Sequence, residues 1–262
     1  MGKRQTAAPA KTISAAEAAS LVKSGMWLDF GGVSSQPEVF DAALAQRIGE
    51  LEDVKLRSCL SIWPLAILEA DPTGAHVKSY NWHFSPYDRA KHDAGRVAYI
   101  PLHLGEVPDY YRRFIAPPDI AVIKTAPIDE NGVFNLGPTN AWISAVIEKA
   151  KILIVETSPA MPYVYGVENG VHVSDVDYIV EGNSRPLTEL PKLPMTDVDR
   201  TVARLLAAEV EDGSCLQVGI GGMPNAACAL LAESGVKDLG VHTEMLTDGI
   251  IDLHKAGRVT GV

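Results

Sequence analysis

Cysteine is scarce in this sequence. Only Cys59, Cys215 and Cys228 occur in 262 residues, and all three lie within apolar patterns typical of strands or helices. Such a small and odd number does not fit a disulfide-stapled secreted domain, so the composition favours a reducing, cytoplasmic compartment. We therefore expect the three thiols to be core residues.

Long apolar runs and basic clusters are also missing. No run approaches the roughly 20 apolar residues that a membrane helix needs, and no hydrophobic signal core follows Met1. The formal net charge is −10, and beyond the short N-terminus Lys and Arg form no cluster of the kind that binds nucleic acid. We expect a protein without a membrane or nucleic-acid partner that acts on a small molecule.

Several catalytic motifs are absent as well. The sequence contains no G-x-S-x-G nucleophile elbow and no G-x-x-x-x-G-K-[ST] phosphate loop. Four histidines share one region, but none of them forms the i, i+4 pair of a helical metal site: His76, His83, His92 and His103. Serine-hydrolase and ATP-driven chemistry are therefore disfavoured, and no metal is expected.

The chain instead shows a regular alternation of two apolar patterns. Strand patterns cover residues 27–30, 54–62, 97–101, 120–123 and 152–155. Helical patterns such as those over 37–48 and 140–150 lie between them. This alternation is typical of a mostly parallel sheet covered by helices on both faces, so the predicted fold class is α/β.

A proline-punctuated segment over residues 186–194 divides the sequence. It has the composition of a linker, and a new helical pattern over 197–210 follows it, with Thr196 as a candidate N-cap. We place a domain boundary near residue 190. The predicted domains are residues 1–190 and residues 191–262.

An internal repeat supports two domains. Residues 25–32 (GMWLDFGG) are echoed 188 residues later by 213–220 (GSCLQVGI), and a proline and a helical pattern follow each copy. The repeat predicts two homologous open α/β domains. The second would be incomplete, since only about 70 residues follow the linker against about 190 before it.

The last residues of the sequence, 258–262, have a β pattern rather than that of a polar tail. A strand at an open sheet edge needs a partner. We expect further C-terminal polypeptide or a partner subunit to complete the second domain, within a homo- or hetero-oligomer.

The most informative segment is a glycine-rich loop followed by a carboxylate. A strand pattern over 216–218 leads into Gly219, Gly221 and Gly222, and Pro224 marks the start of a helix over 225–234. A second strand over 239–242 would run parallel to the first through that helical crossover. The loop and Glu244 would then lie at the same edge of the sheet.

These residues also allow other interpretations. The loop partly matches the dinucleotide motif G-x-G-x-x-G, although Pro224 replaces its third glycine, and a tight turn without a ligand stays open. Glu244 is compatible with a solvated or helix-capping residue before a helix over 246–255. The catalytic interpretation requires an ionised Glu244 in a dry cleft near amide donors, where its oxygen attacks a carbonyl.

Five segments together resemble the acetyl-CoA hydrolase/transferase group of class I CoA-transferases, which includes 4-hydroxybutyrate, acetate and butyryl CoA-transferases. The resemblance spans nearly the whole chain. It is carried by FNLGP at 134–138, ETSPAMP at 156–162, VSDVD at 173–177, the glycine loop, and HTEMLTDG at 242–249. The last two are the most specific.

This resemblance implies roles for particular residues. In the family, the glutamate of the H-T-E-M segment becomes a glutamyl-CoA thioester, which implies that role for Glu244. Coenzyme A would be a substrate rather than a permanently bound cofactor. The implied CoA contacts are Gly219, Gly221, Gly222, Met223, Pro224 and Asn225. Thr157 and Ser158 depart from the commoner E-V-N-P-x-M-P form, which bears on acyl selectivity.

The expected reaction moves CoA between a short-chain acyl-CoA and a carboxylic acid by a ping-pong route. An acyl-CoA hydrolase using the same glutamate is one alternative, and a nucleotide-binding or assembling subunit without catalysis is another. Gln36, in the first copy of the glycine unit, is a candidate for lining the acyl side of a groove. Asn135 and Trp142 are further candidates for the same role.

Overall fold

The chain divides into two compact units, Met1–Thr188 and Glu189–Val262. The structure, a computed structural model, describes residue 6, residues 8–189 and residues 194–260. The predicted boundary near residue 190 and part of the predicted linker lie outside the described residues. The two units are called unit 1 and unit 2 below.

Unit 1 is built on a parallel sheet. Its strands are β1 Lys11–Thr12, β2 Trp27–Phe30, β3 Val54–Ser58, β4 Val77–Asn81, β5 Val97–Tyr99, β6 Ile120–Thr125, β7 Val133–Asn135, β8 Ile152–Thr157, β9 Gly170–His172 and β10 Tyr178–Glu181. Eight of them form one sheet in the order β1-β10-β8-β6-β2-β3-β4-β5, with all pairings parallel. β7 and β9 form a separate antiparallel pair.

Helices cover both faces of this sheet. They are α1 Ala15–Ser20, α2 Val39–Ala45, α3 Ala66–Ala70, α4 Pro86–Asp93, α5 Val107–Arg113 and α6 Ile143–Lys149. Every residue of β6 is buried, and its side chains alternate between two hydrophobic clusters: Ile120 and Val122 lie in one, Ala121 and Ile123 in the other. Since successive strand residues point to opposite faces, the two clusters are the two faces of the sheet. The predicted α/β class is confirmed.

The predicted strand over 54–62 is too long. β3 ends at Ser58, because Leu60 adopts a left-handed backbone with φ of 47° that a strand does not accommodate. The predicted helix over 37–48 is shorter as well, since α2 spans Val39–Ala45. The early end of β3 lies at the carboxyl edge of the sheet, where loops leave the strands.

Unit 2 repeats the strand–helix–strand pattern. Its elements are α7 Asp197–Ala208, β11 Cys215–Leu216, α8 Gly222–Glu233, β12 Gly240–Val241 and α9 Asp248–Lys255. β11 and β12 pair in parallel, as predicted. Leu239 and Val259 form a further parallel bridge, so the predicted β character near the end of the sequence is present at Val259, while residues 261–262 lie outside the described residues.

The N-terminus of α7 has the predicted cap. Thr196 Oγ1 accepts a hydrogen bond from the Asp199 N–H at 3.1 Å, and the Asp199 carboxylate accepts one from the Thr196 N–H at 2.9 Å. This reciprocal pair is a capping box. It satisfies two N–H groups at the start of the helix.

The cysteines do not all lie in the core. Cys59 and Cys228 are buried, as expected, but Cys215 is exposed. Side chains alternate along β11, so Leu216 packs against the hydrophobic cluster of unit 2 while Cys215 points to the opposite face. The prediction for Cys215 is wrong, because that face is not covered by the described residues.

The two copies of the repeat share a glycine turn before the first strand. Gly25 and Gly213 have φ of 81° and 79°, in the left-handed region that glycine adopts readily. The Gly25 N–H donates to the Glu52 carbonyl at 2.9 Å, and the Gly213 N–H donates to the Lys237 carbonyl at 3.1 Å. The same connection therefore precedes the paired strands in both units.

The side chain before each of these glycines accepts the same kind of hydrogen bond. Ser24 Oγ and Asp212 Oδ1 each accept a hydrogen bond at 2.9 Å, from the backbone N–H groups of Glu52 and Lys237 respectively. The residues that follow these donors, Asp53 and Asp238, both have positive φ, 53° and 58°. This shared geometry supports the internal repeat and aligns residue 53 with residue 238.

Within the described ranges, every helix is too short or too polar to cross a bilayer.

Candidate active site

The glycine loop is a helix N-terminus. Gly221 is the N-cap of α8, with φ of 136°, and Gly222 is the first residue of the helix. Pro224 is therefore the third helical residue rather than the residue before the helix, which corrects the predicted start at 225. A proline is tolerated in the first turn because N–H groups there lack intrahelical acceptors.

The glycines of the loop differ in how tightly they are enclosed. A Cβ on Gly219 would meet no atom within 4 Å, whereas one on Gly222 would lie 3.1 Å from a carboxylate oxygen of Asp199. At Gly221 the backbone conformation, rather than space, requires glycine. The close approach is thus at the helix start, and Gly219 faces open space.

Thr243 connects the second strand to the first. Its hydroxyl accepts a hydrogen bond from the Val218 N–H at 3.2 Å and donates one to the Val218 carbonyl at 2.9 Å. Val218 is the residue before the glycine loop, and Glu244 directly follows Thr243. The structure thus brings the two predicted segments together at one edge of the β11–β12 pair.

Glu244 itself is exposed, and no described residue forms a hydrogen bond or ion pair with its carboxylate. The interpretation of Glu244 as a helix cap is wrong, because Thr247 holds the N-cap position of α9. The dry cleft that the chemistry requires is not formed by the described part of unit 2. The carboxylate is therefore accessible, and it makes no hydrogen bond or ion pair with the described residues.

Unit 1 shows the counterpart of this arrangement. The alignment of residue 53 with 238 places Cys59 at the position of Glu244. There the Val33 N–H donates to the Cys59 carbonyl at 3.3 Å, and Gly32 leaves no room for a Cβ against the same carbonyl. The loop after the first strand therefore lies against the residue after the second, as in unit 2.

Gln36 is buried, and its amide forms hydrogen bonds through both its nitrogen and its oxygen. Its Nε2 donates to the Trp63 carbonyl at 3.1 Å, and its Oε1 accepts from the Ile62 N–H at 3.2 Å. The side chain holds two loops of unit 1 together. The expectation that Gln36 faces a groove is corrected by this burial.

The two further candidates for the acyl side also have structural contacts. Asn135 is buried; its Oδ1 accepts from the Gly137 and Val164 N–H groups, and its Nδ2 donates to the Val164 carbonyl. Trp142 is buried and packs edge-to-face on Trp82, with ring centroids 5.9 Å apart. Neither side chain is free to contact a ligand in unit 1.

A buried carboxylate at the end of β8 caps a helix. Glu156 Oε1 accepts from the Glu38 and Val39 N–H groups at 2.8 and 3.1 Å, and its Oε2 accepts from the Phe40 N–H at 2.9 Å. Burial raises the pKa of Glu156, and the backbone hydrogen bonds oppose that rise. The ETSPAMP segment thus starts with a structural carboxylate that orients α2.

A second buried carboxylate extends this system, and no sequence pattern pointed to it. Asp41, on α2, accepts from the Ala66 and Ile67 N–H groups at 2.6 and 3.1 Å, at the start of α3. Burial raises the pKa of Asp41 from 3.8 to about 7, although the two backbone hydrogen bonds act in the opposite direction. An isolated aspartate in a helical pattern carries no sequence signal for such a role.

No group of three or more His, Cys, Asp or Glu side chains in the described ranges is placed to hold a metal ion. His76 and His92 instead bond through Nδ1 to the backbone carbonyls of Leu51 and Val97, at 2.7 and 2.8 Å. These two rings have local structural partners.

Comparison with known proteins identifies one family. The sequence profile of the acetyl-CoA hydrolase/transferase N-terminal domain matches residues 2–191. The butyryl-CoA:acetate CoA-transferase of Anaerostipes caccae is 44% identical over 253 residues, which cover 96% of this chain and 57% of that protein. Acetyl-CoA hydrolases are among the more distant relatives.

Solved structures show the same fold. RipA from Yersinia pestis has a TM-score of 0.85 at 30% identity, over 95% of this chain and 59% of that one. The 4-hydroxybutyrate CoA-transferase of Porphyromonas gingivalis has a TM-score of 0.79 at 29% identity, over 95% of this chain and 58% of that one. The chain spans a little over half the length of the relatives it matches. It belongs to the acetyl-CoA hydrolase/transferase family.

Proposed function

We propose that this chain supplies the catalytic carboxylate of a CoA-transferase, and that Glu244 carries a glutamyl-CoA thioester during turnover. The observation that carries the proposal is the double hydrogen bond between Thr243 and Val218, which supports an approach of Glu244 to the glycine loop. A carboxylate that is accessible and has no hydrogen-bond or ion-pair partner among the described residues is free to act as a nucleophile. The named CoA-transferases among the relatives support the same reaction class.

The proposed chemistry starts with an acyl-CoA. A Glu244 oxygen attacks the thioester carbonyl, the C–S bond breaks, and a mixed anhydride and CoA thiolate form. The thiolate then attacks the glutamyl carbonyl and releases the acyl group as a carboxylate. A second carboxylate repeats these steps in reverse and leaves as the new acyl-CoA. One thioester replaces another, so the overall reaction is close to neutral in free energy.

The glycine loop is suited to stabilise the oxyanions of this sequence. The Gly222 and Met223 N–H groups lie in the first turn of α8, where backbone donors have no intrahelical acceptor, and Pro224 has no N–H. An oxyanion donor in a preorganised site is worth about 2.7–4 kcal/mol. The loop is the proposed binding region for the thioester end of CoA.

The exposure of Glu244 requires that another surface enclose the site, since anhydride and thioester intermediates hydrolyse in water. In unit 1, β2 has parallel neighbours on both sides, β3 and β6. In the described part of unit 2, β11 pairs with β12 alone. We propose that a parallel strand of further polypeptide or of a partner subunit binds the other edge of β11.

Two alternatives give different outcomes. One alternative is an acyl-CoA hydrolase, which would use the same glutamate with water as the acceptor. This alternative is supported by the exposure of Glu244 and by the acetyl-CoA hydrolases among the more distant relatives. Nucleotide binding is less favoured, because the Asp199 carboxylate lies beside Gly222 at the helix start where a pyrophosphate would bind.

The decisive experiment maps the covalent intermediate in the complete enzyme. After mixing with acyl-CoA, borohydride reduction and peptide mass spectrometry should find the modification on Glu244. Glu244→Gln should abolish it together with CoA transfer, whereas Glu211→Gln, at an exposed glutamate of unit 2, should change neither. A Glu244→Gln enzyme that transfers CoA at the normal rate would exclude the proposal, and turnover without a carboxylate acceptor would identify a hydrolase.

A further inference from the structure

A short segment near the end of unit 1 lies at the carboxyl edge of the sheet. After β10, the Gly182 N–H donates to the Thr157 carbonyl at 2.8 Å, and Ser158 Oγ donates to the Asn183 carbonyl at 2.8 Å. Thr157 is the last residue of β8, the strand that pairs with β10, and Ser158 follows it. Residues 182–185, called the strap below, thus begin at the ends of two neighbouring strands.

Glu38 connects the strap to the centre of the sheet. One of its carboxylate oxygens, Oε1, accepts a hydrogen bond from Lys124 Nζ at 2.6 Å, and Lys124 lies on β6. The other oxygen, Oε2, accepts from Arg185 Nη1 at 3.2 Å and from Asn183 Nδ2 at 3.5 Å. A single carboxylate therefore pairs with a cation of the sheet and with a cation of the strap.

The two ion pairs of Glu38 differ in exposure. The side chains of Lys124 and Glu38 are 1% and 8% exposed, whereas that of Arg185 is 57% exposed. Both cations also lie over the ring of Trp63, with Lys124 Nζ 4.7 Å and Arg185 Cζ 5.4 Å from the ring centroid. Trp63 is 7% exposed. Of the two cations, Arg185 is the one that solvent reaches, so its release would uncover the ring.

Salt acts unequally on these two ion pairs. Dissolved ions screen exposed charges strongly and buried charges weakly, and the Debye length falls from about 30 Å at 0.01 M to about 3 Å at 1 M. The pair of Arg185 with Glu38 is therefore weakened as the ionic strength rises. The pair of Lys124 with Glu38 persists, because breaking it would leave two buried charges without partners.

We propose that the strap is closed by a two-stage ionic latch. The outer stage, Arg185 on Glu38, opens as the ionic strength rises, while the inner stage, Lys124 on Glu38, stays closed. Opening frees residues 184–185, since the first two residues of the strap remain bound at the end of β8. The connector that leaves unit 1 then starts two residues earlier and gains up to about 7 Å of reach. This inference does not depend on the role proposed for Glu244.

A permanently closed contact is the competing explanation. Arg185 would then add a fixed amount to the stability of unit 1, and Trp63 would stay covered at every salt concentration that leaves the fold intact. Stability alone does not separate the two explanations, because both predict a loss when Arg185 is replaced. The exposure of Trp63 as a function of salt does separate them.

The test measures the solvent exposure of single tryptophans in the complete enzyme. Hydroxyl-radical labelling followed by peptide mass spectrometry gives the oxidation rate of each ring. Between about 0.01 M and 1 M NaCl, the rate at Trp63 should rise about 1.4- to 5-fold, the range expected from the loss of an exposed ion pair. Trp142, which is buried against Trp82, is the internal reference and should stay constant.

Two variants assign the change to Arg185. Arg185→Gln removes the outer ion pair, so it should show the higher oxidation rate of Trp63 already at low salt, with no further rise. Arg89→Gln, at an exposed arginine of α4, is the matched control and should behave as the unsubstituted enzyme.

Two results would overturn the latch. One is an oxidation rate of Trp63 that does not change with salt, and the other is an equal rise with salt in Arg185→Gln. Should Arg185→Gln also raise the rate at Trp142, unit 1 has loosened as a whole, and Arg185→Lys then decides. This variant keeps the charge, so it must retain the salt dependence at Trp63 for the latch to stand.

Discussion

The Thr243 hydroxyl bonds both backbone groups of Val218, accepting from its N–H at 3.2 Å and donating to its carbonyl at 2.9 Å. β12 ends at Val241, so this contact lies beyond the last regular strand pairing. A side chain thus replaces backbone pairing at the point where the chain turns toward the loop. It makes Thr243 a positioning residue for Glu244 in the proposed mechanism.

Thr243→Val should remove both hydrogen bonds with little change in shape. We expect turnover to fall at least about 10-fold, because small misplacements of a reacting group are costly, while stability falls by about 1 kcal/mol. Thr243→Ser, which keeps the hydroxyl, should restore most of the rate. Steady-state kinetics and urea unfolding check this, and equal rates for the valine and serine variants would contradict it.

Gly221 and Gly219 should respond differently to alanine. Gly221 has φ of 136°, so Gly221→Ala forces a strained backbone that costs on the order of 1–3 kcal/mol or displaces the loop. Gly219→Ala meets open space and should fold normally. Thermal unfolding of the pair measures the difference. Equal losses of stability would show that the loop conformation is not the constraint.

Asp41 predicts a pH dependence of stability. Its folded-state pKa, raised by burial from 3.8 to about 7, lies above the unfolded value. Its contribution to stability is therefore fully present below pH 3.8 and is lost as the pH rises through about 7. Across that window, Asp41→Asn should remove a slope of at most about 1.4 kcal/mol per pH unit from the free energy of unfolding.

Urea unfolding between pH 4 and pH 8 gives that slope. Asp93→Asn, at an exposed aspartate of α4, is the control and should follow the unsubstituted protein. Parallel stability profiles for the Asp41→Asn and unsubstituted proteins would show that Asp41 ionises as in the unfolded chain.

Glu156→Gln should destabilise unit 1. The carboxylate accepts three backbone hydrogen bonds at the start of α2, and an amide has only one acceptor oxygen to replace two. We expect a loss of about 2 kcal/mol in the free energy of unfolding. Glu106→Gln, at an exposed glutamate, should change the free energy of unfolding little. Comparable losses of stability in both variants would contradict the capping role of Glu156.

Much of the architecture followed from local sequence patterns. The continuous apolar run of β6, the Thr196 cap and the parallel β11–β12 pair were predictable, because each depends on residues within one segment or one crossover. The early end of β3 was not, since it depends on the left-handed backbone of Leu60, an unusual conformation for a branched residue.

The candidate site was predictable only in part. The glycine loop and Glu244 stood out because glycines and a carboxylate at strand ends are a local signal. Thr243 was missed as a positioning residue, and its signal was a hydroxyl at the end of the second strand. Gln36 looked available because its burial depends on Trp63 and Ile62, which are distant in sequence.

The sequence by itself determined the alternation of strands and helices, the repeated glycine turn and the carboxylate after the second strand, since periodicity and glycine placement act locally. Only the tertiary structure decided which polar side chains are consumed by packing and which stay open. Asp41, Glu156 and Gln36 are enclosed by segments far along the chain, whereas Glu244 is left accessible. Burial of a polar side chain is a property of the assembled layers, and no local pattern encodes it.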